Sequence, residues 1–87
     1  MKELTYFYLE NCPFCKKANA MIDEITAADA TLAAVVMNRI EESQNRELAD
    51  SYDYFYVPCF FLGDQKLFEG DPSAEDIKTV LQTAANA

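Results

Sequence analysis

The chain has 87 residues, 51% of them hydrophobic and only two of them glycine, which predicts one compact domain over residues 1–87 rather than a disordered chain. Its formal net charge of −8 excludes nucleic acid and anionic membranes as expected partners, because both would repel it. The first apolar run ends at Glu10, too early for the hydrophobic region of a signal peptide or for a membrane span, so a cytoplasmic protein is expected.

The first part of the chain predicts a strand, a helix and a second strand. Leu4 to Leu9 is rich in strand-forming residues and almost continuously apolar, as in a strand covered on both faces. Pro13 to Ala28 predicts a helix, because proline suits the first helical position and apolar residues recur every three or four positions. The apolar stripe of this helix consists of Phe14, Ala18, Met21, Ile22 and Ile25. Leu32 to Met37 predicts a second buried strand.

A short helix and a β-hairpin are predicted next. The helix runs from Ser43 to Tyr52, and the residues expected to anchor it are Leu48, Ala49 and Tyr52. The hairpin pairs residues 59–62 with residues 65–69, and Gly63 leads its turn.

The end of the chain completes the predicted order of elements. Ser73, with Asp76 three residues on, resembles a capping box that begins a last helix. The buried stripe of that helix consists of Ile77, Val80, Leu81 and Ala84. The order is therefore β-α-β-α-β-β-α, in which a helix joins two parallel strands and the hairpin strands are antiparallel. We predict an α/β fold with a four-stranded mixed sheet flanked by three helices.

Cys12-Pro13-Phe14-Cys15 is the most informative motif of the chain. Two thiols separated by two residues can close a disulfide and so hold or release an electron pair. The motif lies where a strand leads into a helix, whose unpaired N–H groups and positive dipole end favour the thiolate form of Cys12. Since the thiolate is the species that attacks disulfides, the motif predicts thiol–disulfide exchange.

Cysteine pairs of this spacing also occur in zinc sites, and two unreactive buried cysteines are a further alternative. The chain contains three cysteines and no histidine, so it cannot by itself supply four sulfur or nitrogen ligands to a metal. A metal or iron–sulfur cluster held between two chains by Cys12 stays open as an alternative. Redox chemistry is favoured, and no resident metal or cofactor is expected.

With these residues in view, nearly the whole chain resembles the thioredoxin superfamily, at the size of a glutaredoxin. The Cys12-Pro13-Phe14-Cys15 motif is similar to the C-P-Y-C of glutaredoxins, with Phe14 in place of tyrosine. The segment from Tyr52 to Pro58, and Glu69-Gly70 with the helix after it, are more similar to thioredoxins. The resemblance implies a thioredoxin-like fold and an oxidoreductase that transfers electrons in cell redox homeostasis.

The resemblance also implies roles for individual residues. Cys12 matches the exposed nucleophilic position and Cys15 the more buried resolving position one turn further, so the two would form a Cys12–Cys15 disulfide during the reaction. The positions that match substrate-contacting residues are Pro13, Phe14, Val57, Pro58 and Gly70. The match further implies a cis bond between Val57 and Pro58, which would leave the Val57 backbone free to pair with an extended substrate chain.

Several neighbouring residues have both a functional and a purely structural interpretation. Lys16 or Lys17 could help to hold a thiolate, although lysines on a solvated helix face are common. Cys59 could be a redox-sensing thiol, but it is expected to be a small hydrophobic residue at a strand start. The aromatic residues 54–56 could form a docking surface for proteins or part of the core, and both interpretations stay open.

Acidic residues after the hairpin bear on the source of electrons. Glutathione is negatively charged, and a site that binds it needs basic groups, yet Leu9 stands where glutaredoxins commonly have a basic residue. Glu69-Gly70 replaces their paired glycines, and an acidic rim continues through Asp71, Glu75 and Asp76. This rim should repel glutathione, although Asp71 could meet its amino group. We expect a protein reductase as electron donor, with glutathione as the disfavoured alternative.

Three functions follow as hypotheses. The first is a monomeric dithiol oxidoreductase that reduces protein disulfides. The second is a non-catalytic adaptor that binds protein partners through the aromatic residues and the Val57 edge. The third is a carrier in which Cys12 thiolates of two chains bridge a metal or iron–sulfur cluster.

Overall fold

The computed structural model describes residues 3–87, so Met1 and Lys2, which begin the run considered above for a signal peptide, lie outside the described residues. The strands and α-helices, in chain order, are β1 (Leu4–Tyr8), α1 (Pro13–Ala28), α2 (Ala30–Ala33), β2 (Met37–Glu41), α3 (Arg46–Asp50), β3 (Cys59–Leu62), β4 (Gln65–Glu69) and α4 (Ala74–Ala85). A 3₁₀ helix, Glu42–Gln44, lies between β2 and α3. Within residues 3–87 no helix is long and apolar enough to cross a bilayer.

β1 lies inside a four-stranded sheet whose strands are ordered β2-β1-β3-β4. It pairs in parallel with β2, where Tyr8 lies opposite Glu41, and antiparallel with β3, where Phe7 lies opposite Cys59. β3 pairs antiparallel with β4. The predicted mixed sheet, with one parallel pair joined through a helix and one antiparallel hairpin, is confirmed.

Two hydrophobic cores cover β1, one on each face of the sheet. Tyr6 packs in the larger core with residues of α1, α2 and α4, whereas its neighbour Phe7 packs in the smaller core with Ala49 of α3. Successive side chains of a strand point to opposite faces of the sheet, which explains why neighbours belong to different cores. The predicted burial of the first strand on both faces is therefore confirmed.

The second strand lies further along the chain than the sequence pattern predicts. The prediction of a strand from Leu32 to Met37 is wrong, because Leu32 belongs to the short helix α2 and β2 only begins at Met37. The Asp29 carboxylate starts α2 by accepting hydrogen bonds from the N–H groups of Thr31 and Leu32 at 2.9 and 3.3 Å. β2 is an edge strand with exposed polar residues, so its sequence does not match the pattern of a buried strand.

The helix predicted from Ser43 to Tyr52 is confirmed only in part. A 3₁₀ helix precedes α3, and Asn45 between them has φ −138° and ψ 47°, which is not helical, so one continuous helix does not form. Of the predicted anchors, Ala49 is buried and Tyr52 packs edge-on against two core phenylalanines with ring centroids 4.8 Å apart. Leu48, the third, is 43% exposed, so the prediction that it anchors the helix is wrong.

α1, the hairpin and α4 agree with their predicted bounds. In α1 the predicted stripe is wrong at Phe14, which is 46% exposed, because Cys15 takes the buried position of the first turn. Gly63 has φ +61° in the hairpin turn, a conformation that favours glycine. All four residues of the predicted α4 stripe are buried.

The predicted capping box at the start of α4 is present. The Asp76 N–H donates to Ser73 Oγ at 3.1 Å, and the Ser73 N–H donates to Asp76 Oδ2 at 2.9 Å. Each side chain thus satisfies a backbone donor that the helix leaves unpaired.

We expect Ser73→Ala to lower the free energy of unfolding by about 1 kcal/mol, because it removes the acceptor of the Asp76 N–H. Urea denaturation measures this change. Thr79→Ala, at an exposed position of the same helix, is the control, and its higher helix propensity should leave stability unchanged or slightly raised. A Ser73→Ala variant as stable as the wild type would contradict the capping role.

Candidate active site

Cys12 is the N-cap residue of α1. Its backbone is extended, with φ −82° and ψ 124°, and its side chain makes no capping hydrogen bond. The Cys12 carbonyl accepts from the Lys16 N–H at 3.0 Å, which closes the first turn, and Pro13 takes the next position, where no N–H is needed. The Cys12 side chain is partly exposed, so its sulfur is accessible at the helix N-terminus.

Cys15 lies one turn further and is fully buried. Its Sγ accepts a hydrogen bond from the Leu9 N–H at 3.4 Å, and its thiol lies close to that of Cys12. Burial raises the pKa of Cys15 to about 12, against the opposing effect of the Leu9 N–H. Both thiols are free in this structure, and the predicted pair is brought together with one sulfur accessible and the other enclosed.

A part-buried hydrogen bond fixes α1 to the sheet. The Tyr6 hydroxyl donates to Asn19 Oδ1 at 2.8 Å, and Asn19 lies one turn after Cys15 on the same helix. The Tyr6 ring stacks on Phe60, with ring centroids 4.5 Å apart. The helix that carries the thiols is thus held to the two central strands by a polar contact that the sequence analysis did not identify, since no motif links Tyr6 to Asn19.

The segment before β3 (the connecting segment, residues 51–58) reaches the same edge of the sheet as the thiols. β3 begins at Cys59, antiparallel to β1, so its start lies beside the end of β1 that leads to the motif. The Val57–Pro58 peptide bond is cis, as the resemblance implied, and Pro58 is buried. The Pro58 carbonyl accepts from the Gly70 N–H at 3.0 Å. Gly70 has φ +103°, which favours glycine at that position.

The aromatic residues 54–56 divide between core and surface. Tyr54 stacks on Phe7 with ring centroids 4.9 Å apart, and its hydroxyl donates to Glu42 Oε1 at 2.5 Å. Phe55 is 82% exposed and Tyr56 is 68% exposed. Both interpretations of this cluster therefore hold, one for Tyr54 and the other for its two neighbours.

Glu69 is a further residue of the site whose role the sequence analysis missed. Its Oε2 accepts hydrogen bonds from the N–H groups of Phe55 and Tyr56 at 2.9 and 3.1 Å, and its Oε1 accepts from Lys66 Nζ at 2.6 Å. Lys66, together with the two N–H groups, lowers the pKa of Glu69 to about 2. Sequence patterns give no signal for this contact, because the acceptor and the N–H donors lie on different elements.

Charged residues around the motif are partly paired with one another. Lys17 Nζ lies 2.6 Å from Asp71 Oδ1, in an exposed ion pair that links α1 to the turn after β4. Lys16 has no ion-pair partner among residues 3–87 and is exposed. The acidic rim predicted from Asp71 onward is therefore in part neutralised by Lys17.

Cys59 is buried in the smaller core, apart from the Cys12–Cys15 pair. It packs with Phe7, Ala49 and Phe61, and burial raises its pKa to about 12. This agrees with the predicted small hydrophobic residue at a strand start. Within residues 3–87, no three histidine, cysteine or acidic residues gather as a metal site would require.

Solved structures with a similar fold include several thioredoxins. The oxidised thioredoxin of Plasmodium falciparum has a TM-score of 0.71 at 16% identity, and the match covers 95% of this chain and 80% of that one. A mutant thioredoxin of Halobacterium salinarum has a TM-score of 0.68 at 18% identity, with 95% and 74% covered. The zinc-bound form of human ERp44 has a TM-score of 0.61 at 19% identity, with 93% of this chain and 25% of ERp44 covered.

Comparisons of the sequence found no related protein. No protein-family model matches the chain. No curated protein matches it either. In this chain the mixed sheet is ordered β2-β1-β3-β4, and four residues separate the end of the first strand from the start of α1. The chain has a thioredoxin-like fold.

Proposed function

We propose that this protein is a thiol–disulfide oxidoreductase that reduces protein disulfides through Cys12 and Cys15. The observation that carries the proposal is the arrangement of the two thiols. One is partly exposed at a helix N-terminus, and the other is buried one turn away and close to it. An accessible sulfur can attack a target, and a protected sulfur within reach can then release it.

The reaction proceeds through a mixed disulfide. The Cys12 thiolate attacks one sulfur of the target disulfide, the target S–S bond breaks, and the departing target thiolate takes up a proton. Cys15 then loses its proton and attacks the Cys12 sulfur, which forms the Cys12–Cys15 disulfide and releases the second target thiol. Two electrons pass from the protein to the target, and a dithiol reductase must return them.

Burial assigns the order of the two sulfurs. The raised pKa of Cys15 keeps it protonated near neutral pH, so it does not compete with Cys12 for the first attack. In the second step its proton must leave, and the N–H of Leu9, which donates to Cys15 Sγ, favours the thiolate that forms.

The surface beside Cys12 favours polypeptide substrates. Phe14, Phe55 and Tyr56 expose large apolar areas, which usually mark a site of protein contact. The Val57 N–H and C=O make no backbone hydrogen bond within residues 3–87, so both are available to an extended chain. We therefore propose that Pro13, Phe14, Val57 and Gly70 line the substrate-binding surface, and that the buried Pro58 supports the Val57 backbone beside it.

A protein reductase is the electron donor we propose. Leu9 is apolar at the place where a glutathione site would need a cation, and Asp71, the residue considered for the glutathione amino group, is already paired with Lys17. Glu69 is engaged by Lys66 and two N–H groups. We also propose a cytoplasmic location, where reducing conditions keep both thiols available.

We expect brief alkylation of the reduced, folded protein at pH 7 to modify Cys12 at least about tenfold faster than Cys15 or Cys59, because only Cys12 is accessible and burial raises the pKa of the other two. Mass spectrometry of the digested protein measures the three rates. Unfolding in urea should make all three equal, and Cys12→Ser should leave the folded protein almost unlabelled. Equally fast labelling of Cys15 in the folded protein would contradict the assigned order.

Substitution of each thiol should separate the two steps. Cys12→Ser should abolish reduction of a disulfide-containing protein, whereas Cys15→Ser should accumulate mixed disulfides that a strong reductant dissolves, seen by non-reducing electrophoresis. Cys59→Ser is the matched control and should retain activity. If Cys15→Ser reduces protein disulfides as fast as the wild type, the two-thiol mechanism is wrong. Two results together would favour an adaptor: the wild type reduces no disulfide, and the Cys12→Ser, Cys15→Ser double variant still binds its protein partners.

The electron donor can be tested by supplying a thioredoxin reductase system and a glutathione system in parallel. We expect turnover of a protein disulfide with the former and little or none with the latter, because acidic residues rim the site and Lys17 is already paired with Asp71. Consumption of NADPH measures both rates. Turnover with glutathione alone would show that our interpretation of the acidic rim is wrong.

A further inference from the structure

The connecting segment between α3 and β3 has no regular secondary structure, yet it carries Phe55, Tyr56 and Val57 to the edge of the candidate active site. Phe55 and Tyr56 are the most exposed large apolar residues in the part of the chain described here, so core packing does not hold their side chains in place. Tyr54 and Val57 on either side of them pack against the smaller core, so the two exposed residues between need a contact other than hydrophobic burial to order their backbone.

The Glu69 carboxylate supplies that contact. One of its oxygens accepts from two successive N–H groups, those of Phe55 at 2.9 Å and Tyr56 at 3.1 Å. Hydrogen bonds to an ionised acceptor are stronger than those between neutral groups. The other oxygen is held by Lys66 Nζ at 2.6 Å, so the carboxylate is itself fixed in direction.

β4 holds the backbone on both sides of Val57. Glu69, the last residue of β4, binds the two residues before Val57, and the next N–H, that of Gly70, donates to the Pro58 carbonyl at 3.0 Å. Glu69 also lies opposite Cys59 in the β3–β4 register. Between these fixed points, the Val57 backbone makes no backbone hydrogen bond within residues 3–87. The geometry is that of an ordered residue whose N–H and C=O are left open.

We propose that Glu69 is a positioning residue that orders Phe55 and Tyr56 so that Val57 is preformed to pair with the backbone of an extended polypeptide next to its disulfide. This inference rests on the proposed function and adds a preference for polypeptide disulfides over small disulfides. A polypeptide gains from the ordered backbone, because the entropy of ordering is already lost before it binds. A small disulfide without peptide groups cannot use that pairing, so it gains nothing from Glu69.

The low pKa of Glu69 agrees with this role. Lys66 and the two N–H groups keep its carboxylate ionised throughout the neutral range, so the hydrogen bonds to Phe55 and Tyr56 persist at every pH near 7. Because the pKa in the folded protein is lowered, the stabilisation by this group is complete above the ordinary carboxyl pKa and is lost as the pH falls towards about 2.

The experiment compares Glu69→Ala and Glu69→Gln with the wild type on two substrates: a disulfide-linked peptide and hydroxyethyl disulfide. We expect Glu69→Ala to raise KM for the peptide by about tenfold, with kcat changed less than twofold and kcat/KM for hydroxyethyl disulfide unchanged. Glu69→Gln keeps an oxygen acceptor without the charge, so it should have a smaller effect. Glu24→Ala removes the same charge from an exposed position of α1 and should leave both substrates unaffected.

A second measurement does not depend on catalysis. Hydrogen–deuterium exchange of the connecting segment should be at least about tenfold faster in Glu69→Ala than in the wild type, while exchange in β1 stays unchanged and reports an intact fold. Faster exchange together with a raised KM for the peptide alone would support the proposal.

Three other results would overturn the proposal. Unchanged exchange would mean that Glu69 does not order the segment, and faster exchange with an unchanged KM would mean that the order does not serve the substrate. An equal loss on both disulfides would mean general damage to the site. A wild-type protein inactive on both disulfides would instead refute the proposed function, whatever the exchange rates are.

Discussion

The position of β1 between β2 and β3 is the constraint on which the rest of the structure depends. Since β3 is antiparallel to β1, the chain that leaves β1 towards Cys12 and the chain that enters β3 from Val57 meet at one edge of the sheet. The Leu9 N–H, directly after β1, also holds the sulfur of Cys15. One pairing register thus assembles a site from residues more than forty positions apart in the sequence.

Burial distinguishes three cysteines of the same chemical type. Cys12 is accessible at the start of α1, whereas Cys15 and Cys59 lie inside and have raised pKa values. Cys15 differs from Cys59 by its neighbours, because it lies close to Cys12 and accepts a hydrogen bond from a backbone N–H, while Cys59 packs among aromatic rings of the smaller core. Burial therefore serves a proposed redox role at Cys15 and only packing at Cys59.

Some of the carboxylates that give the chain its negative charge also make structural contacts. The net charge of −8 treats every carboxylate as free, but Asp71 is paired with Lys17, and Glu69 binds Lys66 together with two N–H groups. Glu69 looks from the sequence like one member of a rim that repels anions. In the folded protein it orders the backbone beside Val57, which a count of charges cannot reveal.

The sequence by itself determined the helices α1 and α4, the hairpin and the spacing of Cys12 and Cys15, because each depends on residues close together in the chain. It did not determine β2 or α3: the polar edge strand carries no buried pattern, and Asn45 interrupts a helix that local propensity would extend. Only the tertiary structure decided that Phe55 and Tyr56 face solvent and that Glu69 holds their backbone. These features depend on which side chains meet across the sheet, and that follows from strand pairing between distant segments rather than from any local pattern.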